Sequence, residues 1–81
     1  MTTLEQVLQI LEEVKPTKDL SEVEDIVESG YVDSFELMTL ITMLGEHFGV
    51  EIDIEEIIPE NFNSAAAMAD MVDRLLAAQE K

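Results

Sequence analysis

Cysteine is absent from the 81-residue chain, and with it go disulfides, thiolate metal sites and any cysteine nucleophile. Tryptophan is absent as well, and Tyr31 is the single tyrosine, which leaves little platform for a sugar substrate. Bases are scarce: Lys15, Lys18, Arg74 and Lys81 stand against nineteen acids, for a net charge of −15. Four bases cannot neutralise many phosphates, so nucleic-acid binding is excluded, and adhesion to anionic membranes with it. No apolar run approaches the roughly 20 residues that span a bilayer. The N-terminus carries no basic segment followed by an apolar one, so no signal peptide is expected and the cytoplasm is the default compartment.

What remains is enough to fold. Hydrophobic residues make up 47% of the chain, which argues against disorder despite the charge. One small domain spanning residues 1–81 is expected. A chain of this size buries roughly 60–65% of its unfolded surface, so its stability is marginal. Fifteen uncompensated negative charges lower it further.

The periodicity is helical nearly throughout. Leu4, Val7, Leu8, Leu11 and Val14 form a stripe over residues 3–14, with Thr3 and Gln6 as a capping box and Pro16 as the stop. A long acidic connection comes next, over residues 15–33, anchored by Leu20, Val23, Ile26, Val27 and Val32. Ser21 and Glu24 fit a second capping box, for a turn of helix within Ser21–Glu28. A loop of this length in so small a domain is often functional. The second helix is the best defined, over residues 34–48, with Leu37, Leu40, Ile41, Leu44 and Phe48 inward and Gly49 as the stop. Gly45 inside it points to close packing or a weak helix end. Residues 53–58 suggest a short third helix carrying Ile54, Ile57 and Ile58, ended by Pro59. Ser64 caps a last helix over about 65–78, with Met68, Val72, Leu75 and Leu76 inward. The expected fold is all-α: a small four-helix bundle of three longer helices and one short one.

Catalytic chemistry is hard to assemble from these residues. Asp33, Ser34 and His47 form a triad by type only. Ser34 and His47 lie on one helix, thirteen residues and about 20 Å apart, where a general base must come within about 3 Å of its proton. A calcium loop is the sharper rival. Residues 25–36 imitate an EF-hand, with Asp25, Ser29, Gly30, Val32, Asp33 and Glu36 at the expected positions. Val27 occupies a position that needs an oxygen ligand, and there is no partner loop further along the chain. A plain adaptor domain is the other alternative.

The segment Gly30-Tyr31-Val32-Asp33-Ser34-Phe35 holds the remaining signal. Gly30 permits a turn with positive φ. Asp33 is a good N-cap, Glu36 completes its box, and Val32 is placed to staple onto the helix. Ser34 is then at the first helical position, its hydroxyl not needed for capping and projecting beside free N–H groups. A phosphate ester there would be stabilised by those groups and by the helix dipole. On these residues alone, an ordinary capped helix start is the plainer reading.

The wider pattern adds to it. An acidic, cysteine-free, four-helix chain with Asp-Ser opening the second helix resembles the acyl carrier and peptidyl carrier proteins over about Leu4 to Leu76. The segment 30–35 looks like their Gly-x-x-Asp-Ser-Leu/Phe attachment site. Phe48-Gly49-Val50-Glu51-Ile52 resembles the exit from their second helix, and Pro59-Glu60-Asn61-Phe62 with Ser64 resembles the entry to their fourth. The resemblance implies that Ser34 carries 4′-phosphopantetheine, transferred from coenzyme A by a separate phosphopantetheinyl transferase. The arm would supply the missing thiol and hold a thioester, and the chain itself would catalyse nothing. It also implies that Asp33 and Glu36 help dock the basic face of the transferase.

Such a carrier meets several enzymes briefly, and a negative surface steers it to basic docking patches. Phe35, Met38, Thr39 and Thr42 lie off the inward stripe and are expected to face partners; partial burial of Phe35 and Met38 under the neighbouring loop is the alternative. A monomer is expected. With only Glu36 and Glu46 as acids in the second helix, and Phe35 where leucine is commoner, the chain looks more like free-standing carriers loaded by a dedicated adenylating ligase. An acyl cargo is the first expectation, and an amino acid such as D-alanine the second.

Overall fold

In the computed structural model, which describes residues 1–79, two threonines compete to open the first helix and the earlier one wins. Glu80 and Lys81 lie outside the described residues. Helix α1 runs Thr3–Val14 with Thr2, not Thr3, as its N-cap. The Thr2 hydroxyl accepts from the Glu5 N–H at 3.1 Å, and the Glu5 carboxylate accepts from the Thr2 N–H at 2.9 Å. An ionised Glu5 outcompetes the expected Gln6 because it also meets the positive end of the helix dipole. Thr3 is released to donate across the bundle to Asp73, at 2.7 Å. The buried stripe also differs from the expected one. Leu4 is exposed, against expectation, and Ile10 is buried with Val7 and Leu11.

Helix α2 spans Ser34–Phe48, as the periodicity predicts. It ends at Gly49, which is left-handed (φ 67°), and the Val50 N–H returns to the Gly45 carbonyl at 3.1 Å. That 6→1 bond is the Schellman way of closing a helix. It also explains Gly45. A Cβ there would lie 3.1 Å from the Val50 carbonyl oxygen, so the residue marks a close approach.

The third helix is not where its isoleucines suggest. Ile54–Glu56 makes a single 3-10 turn, and α3 begins at Pro59 and ends at Phe62. Proline holds Ile58 extended (φ −128°, ψ 151°), which breaks any helix arriving from 53–58. At the first helical position proline loses no hydrogen bond, so Pro59 starts a helix where a stop was expected. Phe62 then drops fully into the core.

Helix α4 covers Ala65–Gln79, and Ser64 caps it by accepting from the Ala67 N–H at 3.0 Å. Met68 and Val72 are buried as expected. Met71 is buried as well, and Leu75 and Leu76 only in part. The inward face of α4 is therefore broader than a single stripe, because α4 packs on both α1 and α3.

The connection 15–33 holds no helix. The Ser21 N–H is taken by the Asp19 carboxylate at 3.0 Å, an Asx turn that displaces the expected Ser21–Glu24 box. Leu20, Ile26 and Val32 anchor this connection in the same core as the helices, and Val23 and Val27 pack against it. The all-α bundle is thus realised, with α1 against α2 and α4, and no strand among the described residues.

Candidate functional site

The mouth of α2 is built by residues that satisfy one another. Gly30 takes φ 77°, a region open to glycine, and turns the chain toward the helix. Val32 is buried, and Leu37, one turn inside the helix, packs against the same core. Asp33 is the N-cap. Its carboxylate accepts from the Glu36 N–H at 2.8 Å, and the Glu36 carboxylate accepts from the Asp33 N–H at 3.1 Å. The cap closes without the Ser34 hydroxyl, which leaves Ser34 exposed at the first helical position.

Around it the face of α2 is apolar and open. Phe35 is 81% exposed and Met38 58% exposed, so neither is tucked under the loop. Thr39 and Thr42 are exposed too, but their hydroxyls bend back onto the Phe35 and Met38 carbonyls at 3.2 and 3.0 Å. Beneath, Val27, Leu37, Ile57, Ile58, Pro59 and Phe62 line an apolar cleft of about 130 Å³.

Two features of this region had no clear signal in the sequence. Lys15, the residue that closes α1, reaches the Glu36 carboxylate at 3.3 Å. Asn63, between α3 and α4, holds the approach loop. Its side-chain oxygen accepts from the Val27 and Glu28 N–H groups at 3.0 and 3.1 Å, and its NH₂ donates to the Glu28 carboxylate at 2.8 Å. Its backbone carbonyl accepts from the Ile26 N–H at 2.9 Å.

The would-be calcium ligands of residues 25–36 have other partners in this structure. Glu36, the would-be bidentate ligand, spends its carboxylate on Lys15 and on the Asp33 N–H. Asp25 is engaged by the Ser29 hydroxyl. Among the described residues no three acidic or histidine side chains gather at one point. His47 sits at the opposite end of α2 from Ser34, with its ring nitrogen 2.7 Å from the Gln6 side-chain oxygen.

An exposed, unspent hydroxyl at a capped helix start fits a protein modified there by a phosphate-linked group. Comparison with known families matches residues 3–72 to the phosphopantetheine attachment site family. The chain belongs to that family. A search of curated proteins returned no match. Membership makes the protein a carrier of covalently attached 4′-phosphopantetheine, a substrate of other enzymes and not a catalyst itself. Its partners include a phosphopantetheinyl transferase and the enzymes that use the loaded carrier. The residues at the α2 mouth fit such an arm, because an anionic phosphodiester would lie beside the first N–H groups of a fifteen-residue helix. No helix among the described residues is long and apolar enough to cross a membrane.

Proposed function

We propose that Ser34 is the attachment residue and that the protein is an acyl carrier. The observation that carries the first half is the exposed Ser34 at the α2 mouth, with Asp33 and Glu36 completing the cap between themselves. In the transfer, the Ser34 oxygen forms a bond to phosphorus as the pyrophosphate link of coenzyme A breaks. The adenosine bisphosphate half leaves, and the hydroxyl proton passes to a base on the transferase. His47 cannot be that base, since it is about 20 Å away along the helix. When bound, the arm supplies the thiol that the chain lacks and holds its cargo as a thioester.

Asp33 is the exposed acid next to the hydroxyl, and it suits a basic docking face on the transferase. Phe35, Met38, Thr39 and Thr42 offer partners an apolar strip along α2. The expected result with coenzyme A and a broad-specificity transferase is one phosphopantetheine per chain by intact mass, and none on Ser34→Ala. A gain of mass by the alanine variant would move the site elsewhere.

The apolar cleft beside Leu37 favours an acyl cargo over an aminoacyl one. Its volume is about 130 Å³. That is about four times the roughly 30 Å³ share of a water molecule, room for a short chain and not for a charged amine. Loading the holo protein with a butyryl group should shift the methyl NMR signals of Val27, Leu37, Ile57 and Ile58, and an alanyl group should not. Equal silence from both would favour an amino acid carried in solvent, the reading that Phe35 and the sparse acids of α2 support.

A further inference from the structure

Glu36 has a claim on it that docking does not explain. Its carboxylate receives Lys15 at 3.3 and 3.4 Å while it also accepts the Asp33 N–H at 3.1 Å. The pair is partly buried, with side-chain exposures of 29% for Lys15 and 24% for Glu36. It joins the end of α1 to the start of α2 across 21 residues of sequence. Each partner also suits its own helix end. An ammonium group complements the negative C-terminus of α1, and a carboxylate complements the positive N-terminus of α2. Lys15 is one of four bases in the whole chain.

We propose that Lys15 is a positioning residue for the modification of Ser34, acting through Glu36. The ion pair holds the Glu36 carboxylate against the Asp33 N–H. That closes the capping box on both sides of Ser34 and fixes the first turn from which the hydroxyl projects. Asp33 is left as the acid that partners meet, and Glu36 is an internal tether. A nucleophile held in one orientation reacts faster than one on a frayed turn. The proposal rests on Ser34 being the attachment residue.

The docking role for Glu36 makes the opposite prediction. If Glu36 met the transferase, removing Lys15 would free a carboxylate at the site and lower KM for the carrier. If Lys15 positions, Lys15→Ala lowers kcat for phosphopantetheine transfer roughly two- to fivefold without lowering KM. Lys15→Arg restores it. Glu36→Gln, which keeps an acceptor for the Asp33 N–H but drops the charge, reproduces the loss. The double variant Lys15→Ala with Glu36→Gln loses no more than either alone. Amide exchange at Asp33 in the unmodified protein gives a readout independent of transfer: it speeds up in Lys15→Ala and recovers in Lys15→Arg. A lowered KM with unchanged kcat in Lys15→Ala, or unaltered exchange at Asp33, overturns the proposal. Wild-type protein left unmodified would instead sink the Ser34 assignment, and the positioning role with it. Exchange at Asp33 would still show whether the ion pair holds the cap, so the two failures are told apart.

Discussion

Ser34 owes its freedom to its neighbours. An N-cap serine would have spent its hydroxyl on the helix, but Asp33 takes that role and Glu36 returns the bond. The pattern was readable because every bond in it spans three residues. Gly30 is of the same kind. Its φ of 77° is a property of one residue, and a Cβ there would meet nothing within 4 Å, so backbone conformation alone demands glycine. Gly30→Ala should therefore cost about 1–2 kcal/mol, the penalty of the left-handed region for an L-residue. A lower urea midpoint at unchanged slope would show it. An unchanged midpoint would mean that the turn can relax to negative φ. Thr2 and Thr3 mark where local reading failed. Both satisfy the capping rule, and the choice went to the one whose partner, Glu5, carries charge. Hydrogen bonds from Thr2, backbone first, hold the Glu5 carboxyl below its ordinary pKa.

Among the elements, the connection 15–33 and the α3 region decide how the site is held. Neither behaves as its local sequence suggests. The approach to α2 is kept in place by Asn63, from 35 and 36 residues away, through bonds to Val27 and Glu28. Asn63→Ala should leave those two N–H groups without their acceptor. The Val27 and Glu28 amides should exchange faster, and the domain should lose about 1 kcal/mol, the low end for stranded donors that are only partly buried. Protection unchanged at both amides would show that water replaces the side chain at no loss. Pro59 makes a second case. Its restriction of Ile58 was legible, but whether a proline ends one helix or opens the next depends on the residues beyond it. Here Phe62 lies within the next turn, and its burial stabilises the short α3.

At the scale of the molecule, the three bases among the described residues are committed internally. Lys15 pairs with Glu36, Arg74 grips Glu56 with its two terminal guanidinium nitrogens at 2.7 and 3.0 Å, and Lys18 lies 5.0 Å above the Tyr31 ring. The surface offered to partners is therefore overwhelmingly acidic, which suits brief, steered encounters with basic enzymes. That surface sets the response to pH. Arg74 holds the Glu56 carboxyl below its ordinary pKa, hydrogen bonds from Thr2 do so for Glu5, and the Ser21 N–H does so for Asp19. A carboxyl with a depressed folded pKa stabilises the fold above its unfolded value, near 4, and that contribution fades as pH falls through the folded value. The melting temperature should fall below about pH 4, as these three contributions are lost. Added salt should raise it at pH 7 by screening. A melting temperature with no response to salt would show that the repulsion is energetically unimportant, and one unchanged below about pH 4 would show the same of these contacts.

The all-α class, the span of α2, the acidic partner surface and the exposed serine beside Asp33 came from the order of residues. Each depends on hydrophobic period, charge count or a cap, and these act within about four positions along the chain. The Lys15–Glu36 tether, the Asn63 clamp, the cleft beside Leu37 and the true place of α3 were settled by packing. They join residues roughly 20 to 36 positions apart, and helical periodicity says which face turns inward but not what it will meet there.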